Sequence, residues 1–154
     1  MWIEAPSQMT MTGPRIILSV LLGVVIGSSV NMGLIMLSGK VIPPPSGADV
    51  TTVEGLRASL HLFEPQHFVF PFLAHALGTL AGAFVAGLLA PGRSAVPAYV
   101  VGGVFLLAGI ANVVMLPAPV WFSTADLVLA YLPAAWLGQA LAARAADRAA
   151  ARRA

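Results

Sequence analysis

Cysteine is missing altogether from this 154-residue chain, and charge is scarce. Without a thiol there is no disulfide, no thiolate metal site and no cysteine nucleophile. Asp, Glu, Lys and Arg make up only 9% of the residues, against roughly 25% in soluble domains. Phosphate-cradling glycine loops, a G-x-S-x-G elbow and an H-E-x-x-H pair are also absent, so the common hydrolase and nucleotide chemistries have no residues to carry them. "GLLAPGRSA" reads as a turn, not a P-loop. The six acidic residues are too scattered for a dense cation filter. The formal charge is only +2, and the arginines gather at the C-terminus. That placement suits an anionic membrane surface rather than a nucleic acid.

What is plentiful is apolar sequence: 58% of the residues, with a mean hydropathy of +0.89. There are too few polar side chains to cover a water-soluble globule. A membrane span needs about 20 mainly apolar residues, and four runs qualify, at about 16–38, 68–90, 96–116 and 125–143. Helices are expected, because a helix satisfies its own backbone in hydrocarbon and the runs are too continuous for barrel strands. The chain thus reads as a single all-α transmembrane domain, residues 1–154, built as an integral four-helix bundle. Pro91-Gly92, Pro97, Pro117 and Pro119 punctuate the turns. The first run is longer than the roughly 7–15 residues of a secretory h-region and lacks a clean cleavage site, so it is read as an uncleaved span. Met9 and Met11 are possible alternative starts, and residues 1–14 are expected to be poorly ordered.

Arg15, Arg93, Arg144, Arg148, Arg152 and Arg153 fall on one side of the four spans, and Lys40 and Arg57 on the other. The positive-inside rule then puts both termini in the cytoplasm. Trp121 and Trp136 are candidate interface anchors, with packing inside the bundle the alternative for Trp136. The outside loop, 39–66, starts stiffly at Pro43-Pro44-Pro45. A short amphipathic helix is expected at about 52–63, capped by a Thr51/Glu54 box and weakened by Gly55. The tail 144–154 should extend the last helix and anchor at headgroups.

Small residues indicate the packing faces. Ser19, Gly23, Gly27 and Asn31 step by four along the first span. Pro71, His75, Gly78, Gly82 and Ala86 share a face of the second, where Leu73, Leu77, Leu80, Phe84 and Leu88 are expected to meet lipid. Gly102, Phe105, Gly109 and Asn112 share a face of the third. Asp126, Ala130 and Pro133 share one in the fourth. Gly23, Gly27, Gly78, Gly82 and Gly109 are therefore the expected close-packing positions.

Threaded onto this topology, Asn31, His75, Asn112 and Asp126 all fall in the outer third, roughly 0–11 Å deep at 1.5 Å per residue. His61, Glu64 and His67 would cover the mouth of that layer. Ionisable groups inside a membrane are functional candidates by default. His75 and Asp126 are suited to a proton-relay pair or, with Glu64, to a divalent cation. The spacing matches no metal motif, so no metal site, cofactor or catalytic residue is assigned. Structural roles compete at each position. Ser123-x-x-Asp126 has capping-box spacing, Asn31 and Asn112 can bond across helices, and His75 can pin a backbone carbonyl or Asn31.

"VIPPPSGADV", "LHLFEPQHFVFPFLAHALGTLAGAF" and "GIANVVMLPAPVWFSTADLVLAYLPAAWLG" resemble a group of small bacterial inner-membrane proteins with four spans. The likeness covers roughly residues 15–142. It implies a multi-pass topology in the bacterial inner membrane and the Asn/His/Asp layer, and no activity. Two functions are expected on these grounds. The first is a structural, accessory or binding subunit, whose partners are the lipid bilayer and a second copy or another membrane protein. The alternative is small-molecule or ion handling through an outward-facing polar pocket around His75. An enzyme has the least support.

Overall fold

A computed structural model describes residues 12–153. The expectation about residues 1–14 falls mostly outside them. Among the described residues the chain is all helix and connection. The helices are α1 (Thr12–Val41), α2 (Val53–Ser59), α3 (Val69–Leu89), α4 (Val96–Met115), α5 (Val120–Leu129) and α6 (Leu132–Ala151). Short 3₁₀ turns cover Leu60–Leu62, Pro65–Phe68 and Pro91–Arg93. Four stretches are long and apolar enough to cross a membrane: Gly13–Val41, Pro65–Leu89, Val96–Met115 and Val120–Ala151.

Proline sets most of the boundaries. Pro65, Pro91, Pro97 and Pro133 each sit in the first turn of a helix or 3₁₀ turn, where the missing N–H would be unbonded anyway. Pro133 changes the fourth span. The sequence reading ran it unbroken over 125–143; instead α5 starts at Val120, ends at Leu129, and α6 restarts at Leu132. A proline ring at 133 clashes with the carbonyl four residues back, on Leu129, and offers no N–H. The chain bends at Ala130 and Tyr131, where Tyr131 has φ −111° and ψ −76°, off the ideal helix values.

The helices run alternately up and down, and α3 is the central one, touching α1, α4 and α6. Against α1 the backbones nearly touch. A Cβ on Gly23 would sit 2.7 Å from the Gly82 carbonyl oxygen, and one on Gly27 the same distance from that of Gly78. Only glycine permits this approach in both helices. On the far side of α3, a Cβ on Gly138 of α6 would lie 2.5 Å from the Leu80 carbonyl and 3.0 Å from the Phe84 nitrogen. The Leu80/Phe84 side of α3, expected to meet lipid, is therefore covered by α6. Leu77 and Leu88, to either side, stay exposed. The core is mostly alanine, with Ala74, Ala83, Ala86, Ala98 and Ala135 fully buried.

At one end of the bundle, the terminal end, an exposed ion pair joins Arg93 to Asp147. The other, loop end carries the connection 42–68. There α2 is capped one residue later than expected. Thr52, not Thr51, accepts the Gly55 N–H at 2.9 Å. Asp49 takes Thr51 instead, accepting its N–H at 2.8 Å and its hydroxyl at 2.6 Å. These bonds favour the ionised carboxylate and hold Asp49 below its ordinary value of 3.8. The Asp49 N–H also bonds Ser59 Oγ at 2.9 Å, tying the two ends of α2 together. Trp121 and Trp136 both face outward, Trp136 with 60% of its surface exposed, so it does not pack inside the bundle.

Candidate functional site

The polar layer is organised by Asp126. Its carboxylate is 2% exposed, in the second turn of α5. No side chain caps that helix, which begins after Pro119; the expected capping role for Asp126 is not what the structure shows. His75 Nδ1 lies 2.8 Å from Asp126 Oδ1 and 2.9 Å from Oδ2. Tyr131 donates its hydroxyl to Oδ2 at 2.9 Å. The His75 and Tyr131 rings stack with centroids 5.7 Å apart.

This triad depends on the break in the fourth span. Residues five apart on a straight helix point about 140° away from each other, at 100° per residue. The bend at Ala130 and Tyr131 goes with a hydroxyl that reaches back to Asp126. Gly109 of α4 makes the space: a Cβ there would collide with the Tyr131 ring and hydroxyl. On α3, Thr79 donates to the His75 carbonyl at 2.7 Å, which loosens the local helix ladder at the histidine.

Beside the triad lies a cavity of about 540 Å³. Asn31, His75 and Asn112 all line it, and Asp126 lines an adjoining space of about 110 Å³ that Asn112 shares. The four residues of the predicted layer are thus gathered at one level, but not as one hydrogen-bonded network. Among the described residues no hydrogen bond joins Asn31 to His75 or either asparagine across helices; the partner of His75 is Asp126. Asn31 is half-buried and Asn112 exposed. Phe105 forms the floor, where it also touches Gly27, and Leu56 of α2 the roof.

The cavity opens sideways. α1 and α4 come together where Gly23 meets Val101 and Gly27 meets Phe105. Above that level they part, and Ser28, Met32 and Ala108 stand exposed at the rim. Of the expected mouth residues, only His67 borders a cavity. His61 and Glu64 are exposed and engaged locally. His61 Nδ1 bonds the Ala58 carbonyl at 2.8 Å, and the Glu64 N–H bonds His67 Nδ1 at 3.0 Å. A capping box on Pro65–Phe68 accounts for both Glu64 and His67.

With its Nδ1 taken by Asp126, His75 has one ring nitrogen left. Nε2 has no hydrogen-bond partner among the described residues and is not sealed from the cavity. Among the described residues no three His, Asp or Glu side chains converge as a metal site. Sequence reasoning missed Tyr131, Gly109's part in seating it, and Leu56 as a roof. The signal for Tyr131 was Pro133 two residues on, which forces a corner just after the aspartate. No protein-family model matches the chain, and no curated protein or solved structure is similar to it at a significant level.

Proposed function

We propose that this is a multi-pass protein of the bacterial inner membrane, with both termini cytoplasmic, that binds and handles a small molecule in the pocket around His75. The observation that carries this reading is a histidine on the wall of a 540 Å³ cavity, with Nδ1 fixed by a buried carboxylate and Nε2 without a hydrogen-bond partner among the described residues. A histidine kept only to lock helices together needs no such space. Burying an ionisable pair in a membrane span is expensive, and the cost is ordinarily met at functional sites. Asn31 and Asn112 add to the same wall carboxamides that have no side-chain hydrogen bond among the described residues and that can orient a ligand.

A structural or accessory role has one observation in its favour. α1 makes its helix contacts along a single face, and only 11% of its apolar window is buried. A second copy or another membrane protein would cover the rest. The two readings separate by native mass spectrometry after gentle release from the membrane. The pocket reading expects a retained small molecule that disappears in His75→Ala. A clean, ligand-free species, or one holding only a partner protein, would overturn it. The topology is checked separately, because the chain lacks cysteine. A cysteine at Ser46 should react with an impermeant maleimide on intact cells, and one at Ala151 only after lysis.

A further inference from the structure

The charge in the bundle is one-sided. Between Arg15 and Lys40, and again between Arg93 and Arg144, the chain contains no lysine or arginine. Arg57 of α2 is exposed, and among the described residues neither it nor any other lysine or arginine pairs with the buried carboxylate of Asp126. Its two donors, Tyr131 and His75, are neutral unless His75 carries an extra proton. The other elements around His75 supply no charge: α1 presents Asn31, α4 presents Asn112, and α2 presents Leu56. Glu54, Arg57 and His61 are exposed to the outside, and His67 borders the adjoining space beside Asp126. A lone carboxylate in such a setting is strongly unfavourable and calls for a counter-charge.

That counter-charge has two possible sources, a proton on Nε2 or a cation in the cavity. The cavity suits an organic cation. Its walls are mainly apolar, and Phe105, Phe122 and Tyr131 are among the residues that line it, as aromatic residues do in pockets for quaternary and bulky cations. It is too wide and too poor in oxygen to bind a bare metal ion, which needs several oxygens at about 2.0–2.6 Å. The sideways opening between α1 and α4 admits molecules already dissolved in the bilayer.

Building on the pocket reading, we propose that the cavity takes a monovalent organic cation with an apolar body, in competition with a proton on His75. Either one neutralises Asp126, so one leaves as the other binds.

The test uses the full chain in lipid nanodiscs, with tetraphenylphosphonium and its anionic counterpart of the same shape, tetraphenylborate. Equilibrium dialysis should show saturable binding of the phosphonium alone. Asp126→Asn should weaken it on the order of a hundredfold, the effect of removing one unit charge a few ångströms away in a partly shielded site. Wild-type protein supplies a readout that does not depend on the variant folding. Calorimetry in two buffers of different ionisation enthalpy, repeated at several pH values, should show protons released on binding. Binding without proton release overturns the competition. Equal binding of both ions, or of the borate alone, overturns the cation specificity and leaves the pocket reading intact. Saturable binding of neither ion overturns this proposal, and the native mass spectrometry above then decides the pocket reading by itself.

Discussion

The two halves of the bundle are built on opposite rules. In the terminal half, α1, α3, α4 and α6 meet through glycine and alanine, and backbones approach until no side chain fits between them. In the loop half, α5 takes the place of α6, and α1, α3 and α4 line a cavity where polar side chains take over. The boundary falls within one turn of each helix. Gly27 and Gly78 are in contact, while Asn31 and His75, four and three residues nearer the loops, line open space. The close-packed half fixes where the helices are. The open half spends that rigidity on holding a carboxylate away from water.

The largest expected effect breaks the close-packed half. Gly27→Leu forces a side chain against the Gly78 carbonyl and the Phe105 ring. It should destabilise the protein by about 3 kcal/mol or prevent assembly, read by thermal unfolding in detergent. Gly33→Leu on the same helix, with nothing within 4 Å of its added Cβ, should be nearly silent. Equal effects at the two positions would mean that α1 does not pack as described. Next is Asp126→Leu, which leaves the His75 Nδ1–H and the Tyr131 hydroxyl without an acceptor. The expected loss is about 2 kcal/mol. Removing all three polar groups together, with His75→Leu and Tyr131→Phe, should recover much of it. Failure to recover would show that the triad is more than a set of mutually satisfied bonds.

Smaller effects sharpen the contrast at the loop end. Thr52→Ala should cost about 1 kcal/mol of local stability in α2, as loss of an N-cap does. It should speed hydrogen exchange at the Gly55 amide, which Thr51→Ala should leave unchanged. The smallest effect is set by pH. Asp49 titrates lower in the folded chain than its ordinary 3.8 because Thr51 bonds its carboxylate. Its contribution is thus fully present above about pH 4 and fades as the pH falls through the lowered value. Protection of the Thr51 amide should drop over that acid range in the wild type and show no such step in Asp49→Asn.

Most of the architecture is legible in the sequence because hydrocarbon leaves so few options. The number of candidate spans, the turn prolines and the α1–α3 face follow from run length and from glycines four residues apart. The lipid-facing assignment of Leu80 and Phe84 failed for a physical reason. A helix at the centre of a bundle is covered on several sides, and the alanines and Gly138 of α6 accept large neighbours as readily as small ones. The site was half legible. Polar residues stand out in an apolar run, and depth alone brought four of them to one level. Which of them bond was not readable, since it depends on the corner at Tyr131. That corner moves one hydroxyl by more than a third of a turn.

The break before Pro133 also bears on how the chain is made. α5 is only ten residues, about 15 Å of helix, half the thickness of the hydrocarbon core. It has to enter the bilayer together with α6, carrying an aspartate that is costly to bury in a membrane span. His75 is synthesised 51 residues earlier, so the span that carries the imidazole leaves the ribosome before that carboxylate. The order of the spans lets the base wait for its acid, and the last helix pair is drawn into a bundle that has a partner ready for its one buried charge.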